Sequence, residues 1–116
     1  MKTALVAFDS KQLNLILSKM LGDLGFDVIT TLNFNEAISL CNKEHPDVFF
    51  VDWLLNKQEI KTLLKKIKFK PIIIFVSKQT NKTDIAKALD LGAKEYIMTP
   101  FDSDILQSKL SMAGVV

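Results

Sequence analysis

The sequence predicts an α/β domain of the doubly wound kind, a parallel sheet with helices on both faces. Three observations predict it. Short apolar runs recur at near-regular intervals, at residues 4–8, 28–31, 48–51, 72–76 and 96–98. Three of these runs lack polar alternation, as strands covered on both faces must. The segments between them carry apolar residues at helical spacing, and strands that alternate with helices imply right-handed crossovers within one parallel sheet.

Each element has its own signal. The first run, Ala4-Leu5-Val6-Ala7-Phe8, reads as a central strand. The first helix follows, with Leu13, Leu17, Met20, Leu21 and Leu24 on one stripe and a stop at Gly25, a residue suited to the left-handed C′ position. Phe26-Asp27-Val28-Ile29-Thr30-Thr31 is more mixed and suits a sheet edge. Residues 35–43 fill the second helical slot. Ile60, Leu63, Leu64 and Ile67 form a third stripe. Ile85, Ala88 and Leu89 form a fourth, which leads to a second glycine stop at Gly92. Residues 102–112 make the fifth helix.

The 116 residues suit one domain, 1–116. The lone Cys41 excludes an internal disulfide and reads as a small core residue. Apolar runs as short as 72–76 cannot span a membrane, which needs about 20 apolar residues. With no signal-peptide cleavage site after the first run, a cytoplasmic location is expected. Net charge is +2, and all 15 basic residues are Lys, so the guanidinium fork that reads guanine and phosphate is missing. Direct nucleic-acid binding is therefore not expected. The series Lys61, Lys65, Lys66, Lys68 and Lys70 reads as the wet face of the third helix, and His45, before Pro46, as a loop residue.

In an open parallel sheet, ligands bind beyond the carboxyl ends of the strands. Those ends carry Asp9, Asp52, Ser77 and Thr99. A single Asp or Ser at such a junction is commonly a helix cap. Asp52 reads differently, because it stands within Val48-Phe49-Phe50-Val51-Asp52-Trp53-Leu54-Leu55, where burying a carboxylate is costly without a compensating cation. Asp9, Asp52 and a nearby backbone carbonyl make a hard-oxygen set suited to Mg²⁺, which uses one or two carboxylates and keeps several waters. No glycine-rich loop follows a strand, so nucleotide cradling is disfavoured. A carboxylate nucleophile that takes a phosphoryl group remains.

These residues, with Leu91-Gly92-Ala93-Lys94-Glu95-Tyr96 and Thr99-Pro100-Phe101, resemble the receiver domain of two-component response regulators across nearly the whole chain. The resemblance implies a flavodoxin-like five-stranded sheet of order 2-1-3-4-5. It also implies a signalling module, not an enzyme, phosphorylated by a histidine kinase or histidine phosphotransferase. By resemblance Asp52 is the phosphoacceptor, and Asp9, Asp52 and the main-chain carbonyl of Leu54 are the Mg²⁺ ligands. Ser77 is the switch hydroxyl, Tyr96 the switch aromatic, and the Thr99–Pro100 bond is cis. An output partner, or a second copy, would dock on helix four, strand five and helix five.

Two positions depart from the family pattern. Phe8 stands where the first of two acids is usual, which weakens Mg²⁺ binding. Thr99 stands where the family has Lys, so a hydroxyl replaces the cation that pairs with the phosphoryl group; Lys78 is a candidate substitute. Leu55-Asn56 replaces the usual Met-Pro, so the loop into helix three is expected to differ in shape. Three readings follow: a phosphoacceptor switch, a phosphorylation-independent pseudo-receiver that acts as an interaction module, and an aspartyl phosphatase. Lys11 occupies the place where the phosphatase would want its second acid.

Overall fold

The computed structural model describes residues 2–52, 54–55, 58–77 and 82–116. Its elements are β1 (Thr3–Ala7), α1 (Lys11–Asp23), β2 (Asp27–Thr31), α2 (Phe34–Glu44), β3 (Val48–Val51), β4 (Leu54–Leu55), β5 (Gln58–Glu59), α3 (Ile60–Lys66), β6 (Ile72–Ser77), α4 (Lys82–Asp90), β7 (Glu95–Met98) and α5 (Ser103–Met112). Five strands pair in parallel in the order β2-β1-β3-β6-β7, which is 2-1-3-4-5 in chain order, as expected.

Alternation along the strands divides the core into two layers. Leu5, Ala7, Phe49, Val51, Ile73 and Phe75 face α2, α3 and α4, where Ala37, Cys41, Leu63 and Ala88 meet them. Ala4, Val6, Val48, Phe50, Ile74 and Val76 face α1 and α5, against Leu17, Leu21, Leu106 and Leu110. Every residue of β3 is buried, so its polarity begins only where the strand ends.

The helices start and stop where local chemistry dictates. Ser10, Asn33 and Asp102 are the N-caps of α1, α2 and α5, each accepting from the amide three residues on, at 2.9–3.1 Å. After α1, Gly25 adopts φ 92°, and the Phe26 N–H donates to the Leu21 carbonyl at 3.0 Å. Gly92 repeats this Schellman closure after α4, with φ 111° and an Ala93 N–H to Ala88 carbonyl bond of 3.2 Å. A side chain at either glycine would strain a left-handed backbone. The lysines of α3 and its following loop are exposed, and Lys70 Nζ donates to the Leu64 carbonyl at 2.7 Å, capping α3. His45 closes α2 in the left-handed region and stacks on Phe69, with ring centroids 4.4 Å apart.

One element was not expected. After β3, β4 and β5 pair antiparallel, Leu54 with Glu59 and Leu55 with Gln58, so the segment into α3 is a short ribbon where a plain loop was expected. Two-residue strands carry too little periodicity to be read from sequence. Trp53, Asn56 and Lys78 lie outside the described residues.

Cys41 lies buried against the α3–β6 connection, its Sγ 3.5 Å from the Phe69 carbonyl. Burial pushes its thiol up from 9.0 to about 11, against a smaller opposing pull from Lys70. The folded state therefore holds this proton after the unfolded chain has lost it, and stability drains away as pH rises from about 9 through 11. Thermal midpoints measured across that window are expected to fall more steeply in the wild type than in Cys41→Ala; parallel curves would contradict the assignment.

Candidate functional site

The register of the sheet brings the sequence-predicted residues to one edge. Ala7 pairs with Val51, and Val51 with Phe75, so Phe8 and Asp52 are the next residues out on adjacent strands. Ser77 is the last residue of β6 and pairs with Met98. The Thr99 N–H then donates to the Ser77 carbonyl at 3.1 Å, extending the ladder one step. Asp9, Asp52, Ser77 and Thr99 thus leave four neighbouring strands, β1, β3, β6 and β7, at their carboxyl ends. The Thr99–Pro100 bond is cis.

The two acids differ in burial. Asp52 is half-buried and Asp9 is exposed. The strand ends at Val51, and Asp52 sits at the rim of the sheet.

Phe8 is 1% exposed and packs in the layer with α1 and α5, among the largest fully buried side chains of the chain. Its ring continues the alternation of Ala4 and Val6 into the core. The position that usually supplies an acid here supplies packing. Thr99 is half-buried, yet its Oγ1 is buried and has no hydrogen-bond partner among the described residues. A buried hydroxyl left unsatisfied costs about 1–3 kcal/mol. Tyr96 is buried in the layer on the α4 side, paired with Phe75, one strand turn below the edge.

One buried polar side chain beside this edge escaped the sequence reading. Asn14, on α1, is 6% exposed, and its Oδ1 accepts the Phe8 N–H at 3.1 Å. Its Nδ2 donates to the Thr31 carbonyl at 2.9 Å and approaches the Phe8 carbonyl at 3.5 Å. The signal was present: a polar residue between Leu13 and Leu17 on a helix whose stripe turns inward.

A hard divalent ion fits the donor set in a reduced form. Asp9 and Asp52 follow adjacent strands, one exposed and one half-buried, and Mg²⁺ is commonly held by one or two carboxylates with waters as its other ligands. Among the described residues no three His, Cys, Asp or Glu cluster as a complete protein cage.

Known proteins resemble this chain in sequence and in fold. The family model for the response regulator receiver domain matches residues 4–111. A curated relative, "Probable transcriptional regulator ycf27" of Porphyridium aerugineum, is 30% identical over 109 residues, 91% of this chain and 45% of its own length. The chain thus spans about half the length of the curated relatives it matches. Among solved structures, a two-component response regulator from Clostridium difficile matches with TM-score 0.89 at 23% identity, covering 99% of this chain and 97% of that one. Chemotaxis response regulator CheY4 of Vibrio cholerae matches at 0.87 and 21%, covering 97% and 98%. A response regulator from Burkholderia pseudomallei, holding a phosphorylated aspartic acid, calcium and citrate, matches at 0.86 and 21%, covering 99% and 71%.

Two outcomes follow for the departing positions. Phe8→Asp restores an acid but empties a core site and buries a charge, so it is expected to lose about 3–5 kcal/mol in urea unfolding; a loss under 1 kcal/mol would show that the ring is not needed for packing. Thr99→Val removes the idle hydroxyl at constant shape and is expected to leave stability equal or raise it by about 1 kcal/mol. A clear loss would mean that the hydroxyl is bonded in solution.

Proposed function

The chain belongs to the response-regulator receiver family, and from that premise we propose that Asp52 accepts a phosphoryl group and that the modified domain switches its binding of a protein partner. The observation that carries the reading is the register, which sets Asp52 between the strand that ends before Asp9 and the strand that ends in Ser77. An Asp52 carboxylate oxygen attacks phosphorus on a phosphohistidine of a histidine kinase or phosphotransferase. The P–N bond breaks, its electron pair returns to the imidazole, and an acyl phosphate remains on Asp52.

Asp9, Asp52 and the Leu54 main-chain carbonyl would hold Mg²⁺, which supplies positive charge against the phosphoryl oxygens. Ser77 donates its hydroxyl proton to one of those oxygens and draws the β6 end toward it. Tyr96, behind Ser77, registers that movement. Thr99 can donate a hydrogen bond but brings no charge, so transfer is slower than a Lys at this position would allow. The exposed Leu89, Met98 and Ile105 on α4, β7 and α5 suit the docking face for an output partner or a second copy. No described helix is long and apolar enough to cross a membrane, and a kinase substrate of this kind works in the cytoplasm. The domain is a signalling module, not an enzyme.

A second reading has its own support. The Phe8 ring in the core and Thr99 in place of Lys favour a pseudo-receiver that keeps the docking face and dispenses with phosphorylation. Mass spectrometry after incubation with acetyl phosphate and Mg²⁺ separates the two. A single phosphoryl adduct is expected on the wild type and none on Asp52→Asn. An unmodified wild type would leave the pseudo-receiver as the function.

A further inference from the structure

We infer that Asn14 is a positioning residue for the metal-binding acid, clamping the backbone of Phe8, the residue that Asp9 follows; this rests on the reading of Asp9 as an Mg²⁺ ligand. β1 pairs with β2 as far as Ala7 and Thr31, and there the backbone ladder ends. The Asn14 side-chain amide takes over at the next step. It accepts from the Phe8 N–H at 3.1 Å and donates to the Thr31 carbonyl at 2.9 Å, with the Phe8 carbonyl at 3.5 Å from the same nitrogen. Two carbonyls face the nitrogen and one N–H faces the oxygen, so one orientation of the amide satisfies all three.

Asn is a poor helix former, and a buried amide is costly unless bonded, so packing alone does not account for it at a 6% exposed position of α1. The clamp acts together with the Phe8 ring. The ring is locked in the α1–α5 layer, and the peptide on its amino side is tied to α1. Asp9 therefore leaves β1 from a residue held by both side chain and backbone. Where the family has two acids and this chain has one, metal affinity depends on the placement of a single carboxylate after β1. A residue that orients a ligand without touching the metal commonly governs about 10-fold or more in affinity.

Mg²⁺ titrations of the wild type, Asn14→Ala and Leu21→Ala, followed by NMR at the Asp9 amide, test this. Leu21→Ala destabilises the same helix through its core face, two turns along α1 from Asn14 and without touching its amide. Asn14→Ala is expected to bind Mg²⁺ about 10-fold more weakly and to lose exchange protection at the Phe8 amide, while Leu21→Ala keeps both. In the wild type itself, linkage requires saturating Mg²⁺ to slow exchange at the Phe8 amide, a readout that holds even if Asn14→Ala does not fold. Equal Mg²⁺ affinity in Asn14→Ala and wild type, or a Phe8 amide indifferent to bound Mg²⁺, overturns the inference and leaves the metal site standing. A wild type with no saturable Mg²⁺ response but a protected Phe8 amide overturns the metal reading as well, and reduces Asn14 to a structural clasp.

Discussion

A strand buried on both faces has no place for a polar side chain until it leaves the sheet. In this chain β1, β3 and β6 are such strands, lined by Ala4, Leu5, Val6, Phe49, Phe50, Ile74 and Phe75 in two apolar layers. Because the strands are parallel, their exits fall on one edge. Asp9, Asp52, Ser77 and Thr99 meet there as a consequence of burial elsewhere, and the candidate site is the place where the core stops.

The same constraint explains why the departures from the family pattern are not simple losses. Phe8 is the first residue past β1, at the boundary between core and site, and in this chain the core has claimed it. An aromatic ring stands there, packed between α1 and the sheet. Asn14 holds the backbone of that residue. At the other side of the edge, Thr99 trades a long cation for a short hydroxyl whose oxygen lies covered.

Much of this was legible in the residues. Continuous apolar runs distinguished buried parallel strands from half-exposed ones, and Gly25 and Gly92 marked helix ends because each supplies a left-handed residue after its last turn. The caps Ser10, Asn33 and Asp102 shifted helix starts by only a residue or so, since they lie just outside the helices they open. The β4–β5 ribbon left no trace, being too short to show a period.

The sequence by itself determined the class of fold, the five-strand alternation and which residues stand at the strand exits, because hydrophobic period and turn chemistry are local properties. Only the tertiary structure decided that Phe8 belongs to the core, that Asn14 bridges β1 and β2, and that the Thr99 hydroxyl is covered. Those facts depend on which elements become neighbours. An amide on α1 can satisfy Thr31, 17 residues away, only after the sheet has brought the two together.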